Sequence, residues 1–115
     1  DATLMSRLAG AAAAEGLALQ EGGTYGCTQG PRLESAAEIR RLQGDGCDIV
    51  GMTAMPEAAL ARELGIAYSA LCLVVNWAAG CAAGAIDLAG MEEVVRRNMP
   101  RSIAILKRLS MNPER

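Results

Sequence analysis

There is no histidine in the 115 residues and no phenylalanine. Without histidine, the chain holds no His-based metal site and no Ser–His or Cys–His catalytic pair of its own. Aromatics make up only 3% of the sequence, so Ala, Leu, Val and Met must do the packing. Positive charge is not in excess: 11 Lys and Arg against 13 Asp and Glu give −2. Nucleic acid is therefore not expected as a main partner, because neutralising phosphates needs a basic patch. Arg96, Arg97, Arg101, Lys107 and Arg108 form a basic run near the C-terminus, which reads as the solvated face of a helix. The four cysteines, Cys27, Cys47, Cys72 and Cys81, show no C-x-x-C spacing and lie in apolar stretches. They read as reduced, buried thiols of a cytoplasmic protein. No signal-peptide pattern is visible, and no apolar run is long enough to span a membrane.

What the chain does have is a repeated alternation of helical and strand-like segments. Asp1 suits the N-cap of a helix over 1–15 that stops at Gly16. A strand is expected over 24–28, broken by Gly30 and Pro31. Ser35 and Glu38 have the S-x-x-E spacing of a capping box, opening a helix to about Gln43. A second buried strand is expected over 47–52. Pro56 then stands at a first helical position, in a helix ending near Leu64 and Gly65. The apolar run 68–75 lacks strict alternation, as a central strand covered on both faces would. Residues 77–88 are rich in Gly and Ala and read as a loop. A helix over 89–109 follows, with a kink expected at Pro100 and Pro113 in a frayed tail.

This order defines an α/β fold. Three strands are few for such a sheet, and an uncovered edge is a liability. Other strands are expected to complete it, from a preceding segment or a second chain. The first residue is Asp1, which opens directly on a helix pattern, as if cut from something longer.

Ligands of open α/β folds bind at the carboxyl ends of the strands, and the polar residues cluster there. Glu34 follows a Gly-Pro-Arg-Leu turn; its carboxylate can accept from two adjacent N–H groups, as on the edge of a purine, or be a solvated loop side chain. Arg32 can pair with a phosphate, but an ion pair within the loop is the simpler reading. Met52 and Thr53 end the second strand, where a hydroxyl and an N–H suit an anion or sugar hydroxyl; a plain turn is the equal alternative. Asn76 ends the third run, and its amide can read a heterocycle's polar edge or form a turn. Met91, Val94 and Val95 share a helix face at i, i+3, i+4 spacing, more often core than pocket.

Two segments carry a resemblance. GCTQGPRLESAAEI at 26–39 and DIVGMTAMPEAALARELG at 48–65 resemble the G-P-[RS]-[FL]-E-T-x-A-E and D-x-V-G-M-[ST]-x-x-P-E segments of the purine nucleoside and methylthioadenosine phosphorylase family. The match extends over essentially the whole chain. It implies a three-layer α/β/α nucleoside phosphorylase-like fold, with residues 1–115 as the C-terminal portion of a single domain. The family's Gly-rich phosphate loop, Arg-His motif and first strands have no counterpart in these residues.

The resemblance implies a pentosyltransferase in purine salvage that needs no metal or cofactor and uses inorganic phosphate as co-substrate. Phosphate attacks C1′ of a purine nucleoside and releases the base. Glu34 would hold the N1–H edge of the base, Asn76 its N7 and O6 edge, and Leu33 would pack on it. Met52 would lie under the sugar and Thr53 would contact phosphate. The Glu34 and Asn76 pair matches members acting on 6-oxopurines. Met91 stands near a position where the nucleoside branch has histidine, and with Val94 and Val95 it offers an apolar wall for a 5′-methylthio group. The expected substrate is S-methyl-5′-thioinosine, with inosine, guanosine or methylthioadenosine as alternatives; an inactive purine-binding or structural fragment is the other reading. A homotrimer is expected, with the preceding half possibly on a separate chain.

Overall fold

The computed structural model describes residues 1–111 of the chain. Pro113 lies outside the described residues. The elements run α1 (Ala2–Ala14), β1 (Tyr25–Cys27), α2 (Ala36–Gly44), β2 (Ile49–Gly51), α3 (Glu57–Glu63) and α4 (Leu88–Met111). The chain divides into two compact units, each with its own buried residues. One holds Asp1–Gly22, Ala67–Val75 and the chain from Ala89 onward; the other holds Gly23–Ile66 and Asn76–Leu88.

The first unit is built on α1 and α4. Asp1 caps α1, its carboxylate accepting from Leu4 N at 2.8 Å, as the sequence predicts. Leu8, Ala11 and Ala12 of α1 and Ile105 of α4 form the core, with Leu17, Leu19, Leu71 and Leu109 packed against it. Alanines on α1 let the neighbouring side chains approach closely, which is how a core without phenylalanine is filled. Arg108 closes this unit's rim by pairing with Glu15. Along α4 the covered positions Met91, Val94, Asn98, Ser102, Ile105 and Leu109 recur every three or four residues, a single helical stripe. The five basic side chains from Arg96 to Arg108 are exposed, and Arg96 pairs with Glu93 one turn back at 2.6 Å. Helix α4 runs on through Pro100.

Two expectations are corrected. Residues 68–75 form no strand: a strand is defined by its ladder, and this run has no ladder partner among the described residues. Nor is it covered on both faces. Leu71, Leu73 and Val75 are half-buried while Val74 is 65% exposed, an alternation that the uniformly apolar sequence hides. Cys72, on the open side, and Cys81, in the other unit, are exposed rather than buried, and Cys27 and Cys47 are only half-buried; all four thiols are free.

The second unit is a β1–α2–β2 crossover followed by α3. The strands are parallel, pairing Tyr25 with Ile49, Gly26 with Val50 and Cys27 with Gly51. Parallel strands need a crossover connection, and α2 supplies it. Asp48 pins the start of the pair. Its carboxylate accepts from Thr24 N at 2.7 Å, and its own N–H donates to Thr24 O at 2.9 Å. Ile39 of α2 and Ala61 of α3 are buried. Pro56 stands one position earlier than expected, as the N-cap of α3.

The capping box at α2 is complete. Ser35 Oγ accepts from Glu38 N, and the Glu38 carboxylate accepts from Ser35 N at 2.8 Å. Arg32 adds two hydrogen bonds to that carboxylate, at 2.7 and 2.9 Å. Arg32 is thus committed to an ion pair, the simpler of its two readings. The Arg32 bond, then those from Ser35, hold the Glu38 carboxyl well below its ordinary value of 4.5. A carboxyl depressed in the fold stabilises it above that ordinary value, and the contribution fades as pH falls from there. Amide protection in the first turn of α2, taken relative to intrinsic exchange at each pH, is therefore expected to fall below about pH 4.5. Ser35→Ala is expected to cost about 1 kcal/mol in chemical denaturation, because it leaves a helix N–H without its acceptor.

Candidate active site

The carboxyl ends of β1 and β2 lie side by side, because the strands are parallel and in register. After β1, Thr28 continues the pairing by one bond, its N–H donating to Gly51 O at 2.9 Å. The chain then turns at Gly30, whose φ of +61° favours glycine. A Cβ on Gly30 would stand 2.7 Å from Met52 Sδ, so this turn lies directly against the residue after β2. The turn brings Glu34 back to the strand end, where the Thr28 hydroxyl donates to Glu34 Oε1. Glu34 is half-buried, while Leu33 beside it is 42% exposed.

The end of β2 is shaped by Tyr25. Its hydroxyl crosses Gly51, where a Cβ would stand 2.1 Å from Tyr25 Oη. It reaches Thr53, with Oη 3.4 Å from both Thr53 N and Thr53 Oγ1. Thr53 itself is exposed, leaving its hydroxyl open to a ligand. Glu34, Leu33, Met52 and Thr53 are therefore gathered at one end of one sheet.

Asn76 belongs to the same unit. It is exposed, and one Nδ2 proton goes to Trp77 O at 2.7 Å. The second Nδ2 proton and Oδ1 remain for a ligand, one donor and one acceptor. Four residues on, Gly80 packs on the start of α2, where its Cβ would stand 2.8 Å from Ala36 Cβ. Trp77 is 74% exposed. Met91, Val94 and Val95 lie in the other unit, on α4. Met91 and Val94 are half-buried on the covered stripe, and Val95 turns outward.

In the sequence Thr28, Tyr25 and Gly51 carried no individual roles. A signal for Thr28 was present: a hydroxyl at a strand end, six residues before a carboxylate, with Gly-Pro between to turn the chain back. Gly51 gave none, since the reach of Tyr25 across the pair follows only from the register. Among the described residues, no group of three or more His, Cys, Asp or Glu side chains could hold a metal ion.

A parallel strand pair with a carboxylate and a hydroxyl at its carboxyl end is the arrangement of an α/β enzyme that binds a small polar ligand. The chain matches the Phosphorylase superfamily over residues 1–110 and belongs to that family. It is similar to a probable S-methyl-5′-thioinosine phosphorylase of Pseudomonas syringae pv. tomato, with 57% identity over 106 residues, 92% of this chain and 43% of the relative. It is 62% identical to one so named from Xanthomonas campestris pv. campestris, over 76 residues, 66% of this chain and 30% of the relative. A probable 6-oxopurine nucleoside phosphorylase of Korarchaeum cryptofilum is 53% identical over 73 residues, 64% of this chain and 27% of the relative. The chain thus spans less than half the length of these curated relatives.

Proposed function

We propose that this chain supplies the base-reading part of a pentosyltransferase site. The reaction is phosphorolysis of S-methyl-5′-thioinosine to hypoxanthine and 5-methylthioribose 1-phosphate. The observation that carries the reading is the gathering of Glu34, Met52 and Thr53 at the carboxyl end of the β1–β2 pair. The names of the similar proteins support it.

In this reading a phosphate oxygen bonds to C1′ as the C1′–N9 bond breaks, and its electron pair leaves with the purine. Glu34 accepts from N1–H. The free Asn76 donor meets the N7 and O6 edge, so negative charge growing on the leaving base is shared with the protein, and the proton that phosphate gives up ends on the released hypoxanthine. Leu33 packs on the base, Met52 lies beneath the sugar, and Thr53 donates to phosphate. By the family resemblance, Met91, Val94 and Val95 are the residues for the 5′-methylthio end. Inorganic phosphate is the co-substrate, and none of these steps uses a metal or cofactor.

The residues form the C-terminal portion of a single three-layer α/β/α domain in this reading, working as a homotrimer in the cytoplasm. The relatives' greater length supports the chain's being a portion of a longer domain. Among the described residues, no helix is long and apolar enough to cross a membrane. The Korarchaeum relative favours a second reading, a phosphorylase acting on inosine or guanosine through the same Glu34 and Asn76 pair.

The test is phosphorolysis of methylthioinosine, methylthioadenosine and inosine, with and without phosphate, on protein of known intact mass. Phosphate-dependent release of hypoxanthine, fastest from methylthioinosine, is expected. Faster turnover of inosine selects the second reading, and release without phosphate rejects phosphorolysis altogether. Asn76→Asp is expected to shift the preference toward 6-aminopurines, since a carboxylate accepts from a 6-amino group where the amide donates to O6. An unchanged ratio of adenine to hypoxanthine release removes Asn76 as the discriminating residue.

A further inference from the structure

We infer that Thr28 is a positioning residue for the base-reading carboxylate: it donates its hydroxyl proton to Glu34 and turns one carboxylate oxygen toward the purine. This rests on the role proposed for Glu34. The geometry fixes the direction of the bond. An ionised carboxylate only accepts, so the Thr28 hydroxyl must be the donor. That hydroxyl has one proton and two acceptors in reach, Glu34 Oε1 and, at 3.4 Å, Gly51 O. Glu34 is the nearer and the charged acceptor, and charge-assisted bonds are the stronger kind.

Thr28 can hold Glu34 because it is itself held. Its N–H donates to Gly51 O at 2.9 Å, fixing it to the end of β2. Arg32, the nearby cation, makes its hydrogen bonds to Glu38 and to the Leu33 carbonyl, and acts on Glu34 only through its charge. Glu34 is therefore oriented by a neutral group that leaves its negative charge intact. With Oε1 engaged by Thr28, Oε2 is the oxygen free to receive N1–H. A carboxylate left to rotate would lose that alignment and weaken the bond to the base.

The inference is tested in the intact phosphorylase that contains these residues, using methylthioinosine and phosphate. Thr28→Val keeps the shape and removes the donor; Thr28→Ser keeps the donor and removes a methyl group. Thr28→Val is expected to raise KM for methylthioinosine about tenfold with a smaller effect on kcat, the scale of one lost charge-assisted hydrogen bond. Thr28→Ser is expected to stay within about threefold of the parent, because the donor that carries the interaction is kept. The decisive arm is the double variant Thr28→Val/Glu34→Gln. If Thr28 acts through Glu34, the pair is no worse than Glu34→Gln alone. Independent, additive losses overturn the inference, as does a parental KM in Thr28→Val. Should Thr28→Val fold poorly, Thr28→Ala gives the same comparison, with thermal melting to verify the fold. A Glu34→Gln variant with parental kinetics rejects the base-reading role and this inference together. An impaired Glu34→Gln beside a normal Thr28→Val rejects this inference alone.

Discussion

Glu34→Gln is expected to lower kcat/KM for methylthioinosine by roughly a hundredfold, the upper range for losing a hydrogen bond to a charged group. Glutamine is close to glutamate in shape, so the loss is chemical. The carboxylate has two acceptor oxygens, one for the Thr28 hydroxyl and one for the base. Glutamine has a single acceptor oxygen and an NH2 group, so it cannot offer separate oxygens to two donors. The NH2 can donate to the Thr28 hydroxyl, which can accept, and N1–H is then offered a neutral amide oxygen in place of a charged carboxylate. Charge-assisted hydrogen bonds are the stronger kind, so the bond to the base is weakened. Methylthioadenosine carries no N1–H, so its turnover is expected to fall much less, narrowing the preference between the two nucleosides. Steady-state kinetics on both substrates reads this directly. Equal losses on the two would mean that Glu34 supports the fold without reading N1.

The parts of this molecule that were legible in the sequence are those fixed by local chemistry. Asp1, the Ser35 and Glu38 capping box and the Gly30 turn each act within a few residues of themselves, so their spacing is sufficient. The strand–helix–strand order of β1, α2 and β2 was legible from a helix pattern between two apolar runs, and a crossover helix is what parallel pairing needs. The run 68–75 was misread because apolar composition reports burial and says nothing of a ladder. Its alternation comes from Leu71 packing on the α1 core, a contact far away in sequence. Glu34 and Thr53 were found as candidates because their motifs lie at strand ends. The groups that orient them were not, because Tyr25 reaches Thr53 across 28 residues. Met91 and Val94 were correctly placed on one half-buried face of α4, while Val95, expected on the same face, is exposed. Burial alone fits both core packing and a ligand wall, so the methylthio role rests on the resemblance and on the proposed substrate.

Gly51→Ala is expected to destabilise the β1–α2–β2 unit by about 1–3 kcal/mol, the usual cost of forcing a methyl group into filled space. The methyl carbon would stand 2.1 Å from Tyr25 Oη and 2.8 Å from Tyr25 Cζ. Neither atom can yield without the ring moving, because the clash includes the ring carbon as well as the hydroxyl. A displaced ring also leaves Thr53, whose N and Oγ1 both lie 3.4 Å from that hydroxyl. Stability and the phosphate end of the proposed site should therefore suffer together. A second substitution separates the two effects. Tyr25→Leu makes room for the methyl group, so Gly51→Ala/Tyr25→Leu should melt higher than the two single losses added together predict. It lacks the hydroxyl beside Thr53, however, so KM for phosphate should stay raised. Thermal melting and phosphate titration of the four proteins in this cycle test both statements. Strictly additive melting losses would show that Gly51 is not glycine on account of Tyr25. Recovery of the phosphate KM along with stability would show that the Tyr25 hydroxyl has no part in holding Thr53.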